Sequence, residues 1–196
     1  MIRVILALML VAVPSFAATP TDRTAPFYRG APDRAGHYIV PSLNWQTVSA
    51  VHRFQAFDGN VEGHIYAQPL YWRPPGAGSA LVIAATEDDL VYGLDADTGH
   101  VVWHTMLGHP IHRSALPCGN IDPLGITGTP VIDAGRGAVF LDAMVDDHGR
   151  PRHFVYGLRL SDGSVLPGFP IDVATELAAH GIRFDPAAMP TATTTP

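Results

Sequence analysis

From Tyr38 onward the chain is a series of short apolar runs separated by turn residues. The pattern is clearest between Leu81 and Leu107. Leu81–Thr86 (LVIAAT) predicts a strand, Glu87-Asp88-Asp89 a polar turn, and Leu90–Asp95 (LVYGLD) a second strand. Asp97-Thr98-Gly99 predicts a tight turn in which Gly99 takes positive φ. His100–Thr105 (HVVWHT) follows as a third strand, with Val101, Trp103 and Thr105 on one face by the two-residue period. Ahead of these, Ile65–Trp72 (IYAQPLYW) reads as a fourth strand, in which Pro69 must sit where its missing N–H does no harm.

The same order recurs further along. Gly128–Asp133 (GTPVID) corresponds to the Gln68-Pro69-Leu70 strand, and Ala138–Ala143 corresponds to Leu81–Thr86. Val155-Tyr156-Gly157-Leu158 repeats Val91-Tyr92-Gly93-Leu94 letter for letter, and Asp162-Gly163 falls where Thr98-Gly99 fell. The offset is 61 residues at the proline and 64 at the tetrapeptide, a drift that unequal loops produce. Features repeated in the same order are the mark of a repeated structural unit. The expected fold is all-β, built from four-stranded antiparallel units.

Composition agrees with this. Glycine and proline number 19 and 18 among 196 residues, too many breakers for a long-helix bundle. Hydrophobic residues make up 47 % and charged residues only 15 %, so the chain can build a core. All twelve basic residues are arginine, and the net charge of −6 leaves no basic face for sequence-independent nucleic-acid binding.

The first residues read as an export signal: Arg3, an apolar run Val4–Val13, Pro14, then Ser15-Phe16-Ala17 with small residues at the cleavage positions. Ten apolar residues in a helix cover ~15 Å, half of a bilayer core, so no membrane span is expected. Cleavage near Ala17 would place the protein in the periplasm or outside the cell, with a mature charge of −7. The single Cys118 has no intrachain partner for a disulfide. The expected layout is a signal peptide at 1–17, an irregular lead-in at 18–53 with a weakly alternating edge strand between Tyr38 and Phe57, and repeat units at 54–112 and 113–172. An irregular or short helical tail follows at 173–196.

The stretch LVIAATEDDLVYGLDADTGHVVW resembles the repeat of the quinoprotein-like β-propellers, the PQQ-repeat family. Gly63–Tyr71 and Gly125–Asp133 resemble a secreted bacterial branch of it. The resemblance covers roughly residues 54–172. It implies a partial β-propeller of about two complete blades plus pieces, which propellers of four to eight blades exceed. The chain is accordingly expected to be a truncated N-terminal part. The family pattern places Trp103 flat between adjacent blades, and it puts Pro167 where the second unit should carry the same tryptophan. That unit is expected to lack its stacking ring.

Candidate chemistry is thin. His100 and His104 are four apart, which on a strand puts them ~13 Å from each other, too far for one metal. His109, His112 and Cys118 share a connector with Asp122, without paired-ligand spacing. His148 and His153 flank Arg150 and Arg152 in what reads as a solvated hairpin tip. Glu87-Asp88-Asp89 lacks the glycine and distal glutamate of a calcium loop and reads as a solvated turn. Tyr66, Tyr71 and Trp72 either line a ligand surface or pack between strands, the latter being favoured. No catalytic residue and no metal ligand is assigned.

The favoured function is an exported, non-catalytic binding or scaffold module with an envelope protein or another protein as partner, and with self-association through its open edges. This reading needs no cofactor and makes the chain alone no enzyme. The alternative is part of a dehydrogenase of alcohols or sugars dependent on pyrroloquinoline quinone, with calcium beside the quinone. Asp95, Asp133 or Asp142 would then have to supply the base, although their positions suit turn capping. A further alternative is a remnant without independent function.

Overall fold

A computed structural model describes residues 25–188 apart from residue 31, residues 37–39, and residues 41 and 77. The expected signal at 1–17 lies outside the described residues. The described residues form two four-stranded antiparallel sheets and very little helix. The first sheet holds β1 (Leu70–Trp72), β2 (Leu81–Ala85), β3 (Leu90–Asp95) and β4 (Val101–Met106) in that order. The second holds β5 (Val131–Asp133), β6 (Ala138–Asp147), β7 (Arg150–Arg159) and β8 (Ile171–Asp172), again in chain order. One seven-residue helix, α1 (Val173–Ala179), follows directly, with Asp172 Oδ1 accepting the Thr175 N–H at 2.9 Å as its N-cap.

The two sheets match rung for rung. Leu70, Ile83 and Gly93 lie side by side across β1, β2 and β3, and Val131, Phe140 and Gly157 lie side by side across β5, β6 and β7. The repeated tetrapeptides thus occupy the same place on the third strand of each sheet. The turns that follow agree as well. Gly99 donates to Asp95 O and Gly163 to Arg159 O, both at 2.8 Å, and the two glycines have φ of +80° and +72°. Only glycine enters this left-handed region without strain.

Packing explains why the tetrapeptide needs its glycine. A Cβ on Gly93 would lie 2.3 Å from Trp103 Cε2, so the indole lies directly on bare backbone. Across the sheet interface, a Cβ on Gly163 would lie 2.4 Å from Trp103 Cε3. The ring is therefore held between the first sheet and the turn of the second, and is 8 % exposed. Its Nε1–H donates to Leu160 O at 2.9 Å, and the neighbouring Thr105 hydroxyl donates to Gly163 O at 2.8 Å. Leu70, Ile83 and Val91 from one side meet Val139, Leu141 and Leu158 from the other in one continuous core. Burying such side chains is worth about 1.5–3 kcal/mol each, and this drives the sheets together.

The opposite face of the first sheet is covered differently. Ala84, Tyr92 and Leu94 pack against Phe57 and Val61. A Cβ on Gly99 would meet the Asp58 and Gly59 backbone at 2.6 Å, and Asp58 N–H donates to Thr98 O at 2.9 Å. A strap over residues 57–62 thus occupies, against the first sheet, the position that Trp103 and its strand occupy against the second.

Several expectations need correction. The strand read over Ile65–Trp72 shrinks to its last three residues, because Pro69 has no N–H to donate. Val101 does not share the Trp103 face: a bulge between Gly93 and Leu94 in the pairing with β4 turns it to the other side, where it is half exposed. No described residue between 40 and 57 forms a strand; Val48–Ala50 is instead a 3-10 turn with Val48 and Phe54 exposed. β6 and β7 outrun the predicted apolar cores and meet in a two-residue turn, His148-Gly149, where both residues have positive φ. Nor does the second sheet lack an aromatic ring at Gly157. Phe169 lies there beside Phe140, their ring centroids 5.7 Å apart, and a Cβ on Gly157 would stand 3.0 Å from both.

Candidate functional site

The turn between β2 and β3 is not solvated. Glu87 and Asp89 are fully buried, as is Thr86, and only Asp88 is partly open. The cover is a loop some forty residues further on. Gly125 N–H donates to Glu87 Oε2 and the Thr127 hydroxyl to Glu87 Oε1, both at 2.8 Å. Ile126 N–H donates to Thr86 O at 3.3 Å. Gly125 can be nothing larger, since a Cβ there would lie 2.4 Å from Glu87 O and 2.6 Å from Asp89 Oδ1. Glu87 is thus a buried carboxylate satisfied by two donors of this loop, which is how such a group is tolerated.

Asp89 is different. Neither of its carboxyl oxygens has a hydrogen-bond partner among the described residues. Burial, reinforced by Glu87 and Asp88, pushes its acid up to about 8. It is held mainly neutral at pH 7, and its influence adds to burial in raising the Tyr156 phenol to about 12. The Tyr156 hydroxyl donates to Leu107 O at 2.8 Å.

The loop pinned by Glu87 forms one wall of an open cleft of ≈ 420 Å³ lined by Tyr28, Arg34, Tyr66, Thr127, Gly128 and Thr129. Thr129 is fixed from the other side, its hydroxyl oxygen accepting the Gln68 N–H at 3.0 Å. Gly128 backs onto β6, where a Cβ would sit 2.8 Å from Asp142 Oδ1. The far wall comes from the lead-in. Ala25 N–H donates to Tyr71 O, Ile132 N–H donates to Pro26 O, and Arg29 N–H donates to Gln68 Oε1, each at 2.9 Å. The lead-in is thereby laid across the first strands of both sheets. The Arg29 guanidinium lies 5.3 Å from the Tyr28 ring centroid. Among the described residues Arg34 has no ion-pair partner. The cleft is thus lined by two tyrosines, two threonines, one glycine and one arginine.

A larger cleft of ≈ 570 Å³ lies on the outer face of the first sheet, between Leu90, Tyr92, Val101, His104 and Met106 and the strap residues Asn60, Val61 and Glu62. His104 stacks on Tyr92 with centroids 5.8 Å apart. Its walls are mostly apolar, and they are the open part of the face that the strap covers.

The other candidates are dispersed. His112 Nδ1 lies 3.1 Å from Asp122 Oδ1, and Cys118 is free and exposed. Only His148 stands at the hairpin tip; Arg150, Arg152 and His153 belong to β7. Arg152 bridges Asp147 and Asp172, and His153 Nε2 lies 2.9 Å from Asp142 Oδ2. Among the described residues no three His, Cys, Asp or Glu side chains come together as metal ligands. Trp72 belongs to the core and Tyr71 is half-buried, whereas Tyr66 is 59 % exposed in the cleft.

The three aspartates weighed as bases are all committed. Asp95 accepts from the Thr98 hydroxyl and N–H, and Asp133 from the Arg136 N–H and guanidinium, as turn caps. Asp142 caps no turn: it points from the middle of β6 to His153. In each case these partners hold the carboxyl below the usual aspartate range. Such groups are weak bases.

Reading along the sequence passed over Tyr28, Arg34, Thr127 and Thr129. Their types carry no spacing signal, since three distant segments supply them. The signal within reach was the glycine pattern of Gly125-Ile126-Thr127-Gly128-Thr129, whose two glycines mark close backbone approaches. No family model matches the chain, and no curated protein matches it either. Among the described residues no helix is long and apolar enough to cross a membrane.

Proposed function

We propose that the chain is an exported, non-catalytic binding module of the quinoprotein-like β-propeller type, its two sheets being consecutive blades. The observation that carries this reading is the Trp103 clamp, an indole held between two sheets whose strands and turns correspond position by position. Such stacking builds a rigid support on which loops are presented for binding. The loop 125–129 is of this kind, anchored from below by Glu87 and open above.

Part of a quinone-dependent dehydrogenase fits the residues less well. Calcium takes six to eight oxygen ligands. Each Glu87 oxygen already accepts a hydrogen bond, from Gly125 or Thr127, and Asp142 is engaged with His153. Asp89, the one carboxyl among the described residues with raised proton affinity, is sealed from solvent. The outer face of the second sheet, with Val131 and Ile171 exposed, is the edge through which the module would self-associate.

The deciding assay supplies the purified chain with pyrroloquinoline quinone and calcium and follows dye-linked oxidation of alcohols and aldoses. The module reading predicts no turnover above the quinone alone. Turnover that saturates with quinone would replace it with the dehydrogenase.

A further inference from the structure

The hydrogen bonds beneath the cleft settle what each of its threonines can offer a ligand. The Thr127 hydroxyl donates to Glu87 Oε1, beside the Gly125 N–H on Oε2, so its hydrogen is spent there. Thr127 therefore presents lone pairs and no donor. Thr129 is the converse: its oxygen already accepts the Gln68 N–H, and its own hydrogen has no acceptor among the described residues. One wall thus places an acceptor and a donor two residues apart on a loop whose Gly125 and Gly128 pack closely on Glu87, Asp89 and Asp142. The cleft is also lined by Tyr28 and Tyr66, with flat apolar rings and hydroxyl tips, and by Arg34, which has no ion-pair partner among the described residues.

A ligand for this cleft needs hydroxyls that both give and take hydrogen bonds, a compact body that can lie on a phenol ring, and one negative charge for the arginine. A neutral sugar lacks the charge, and a simple carboxylate lacks the hydroxyls. We infer that the cleft binds a sugar acid, with Arg34 on the carboxylate and Thr127 and Thr129 on ring hydroxyls. The free acid and the terminal residue of an acidic polysaccharide share this chemistry. The volume of ≈ 420 Å³ falls within the range of small-molecule sites and is open on one side, so a chain end can enter. This assignment rests on the binding-module reading and supplies its ligand.

The test is calorimetric titration of the full chain with glucuronate, glucose, acetate and a trisaccharide ending in glucuronate. Saturable binding of glucuronate is expected, with glucose and acetate each weaker by about tenfold or more. A trisaccharide bound more tightly than glucuronate supports the polysaccharide end as the source, and equal or weaker binding supports the free acid. Arg34→Gln is expected to weaken glucuronate about tenfold while leaving the melting temperature and the residual glucose affinity unchanged. Thr129→Val is expected to weaken both sugars, and Thr129→Ser to restore them. Absence of saturable glucuronate binding would overturn the assignment. So would acetate binding as well as glucuronate, or glucuronate binding that Arg34→Gln does not alter. Quinone-dependent turnover would instead overturn the module reading, so the two failures are distinguishable.

Discussion

Val91–Leu94 and Val155–Leu158 carry the same four letters at the same place on the third strand of their sheets, yet their surroundings differ on both faces. Val91 is fully buried because the second sheet lies over it, whereas Val155 faces outward and is only partly covered. The two tyrosines are equally buried but bond in opposite senses. Tyr156 donates to Leu107 O, within the chain that links the sheets, while Tyr92 accepts the Glu62 N–H from the strap. Local sequence sets the strand and its alternation, and what lies across the face sets the energy. The same contrast separates the two rings that lie on the tetrapeptide glycines. Trp103 is enclosed between sheets, and Phe169 is half-buried on an open face.

Truncating these rings gives the largest expected difference. Trp103→Ala removes a buried indole and its bond to Leu160, a loss of about 3–5 kcal/mol. Phe169→Ala removes a half-covered ring and is expected to cost about 1 kcal/mol. Equal losses in chemical denaturation would mean that the interface holds no special place.

The next effect is on pH. The acid of Asp89 is raised from 3.8 to about 8 in the folded chain, so between these values the folded state holds a proton that the unfolded state has released. Its contribution is fully present below the lower value and is lost as pH rises through the upper one, by at most about 1.4 kcal/mol per pH unit. Asp89→Asn keeps the shape and removes the titration. Denaturation midpoints across this window are expected to fall with pH in the parent and to flatten in the variant. An unchanged slope would show that the turn is open to water after all. The lowered carboxyls, Asp142 among them, work the other way and lose their stabilisation as pH drops through their folded values.

Gly93→Ala comes third. Its methyl would meet the indole at 2.3 Å, an overpacking expected to cost about 1–3 kcal/mol. Gly157→Ala meets two ring edges at 3.0 Å on a face that can give, and is expected to cost about half as much. The smallest contrast is between the valines. Val91→Ala is expected to cost about 2 kcal/mol and Val155→Ala about 1 kcal/mol or less, both read from the midpoint of urea unfolding.

The strands and their repetition were legible because both rest on local pattern. LVYGLD matches β3 at both ends, and the identical tetrapeptides fall at equivalent rungs. The enclosure of Trp103 was expected from a resemblance and not from local pattern; in the structure the indole lies between the two sheets. What escaped has a common physical cause, contact between segments far apart in the chain. Glu87 and Asp89 look like a wet turn until Gly125 is laid over them. Pro167 looks like a lost ring because Phe169, two residues on, reaches the glycine from the connection before β8. Val101 escaped through a one-residue bulge, which flips a side chain without changing the hydrophobic pattern. The cleft residues come from three segments, and only the close-packed glycines of its floor left a trace.

Hydrogen exchange at the three indole N–H groups, followed by nuclear magnetic resonance, tests the clamp most directly. Trp45 is 92 % exposed, whereas the Trp103 Nε1–H is buried and bonded to Leu160 O of the second sheet. The Trp103 signal is predicted to persist in heavy water long after that of Trp45 has gone. Exchange of the two at the same rate would mean that the sheets are not joined in this way.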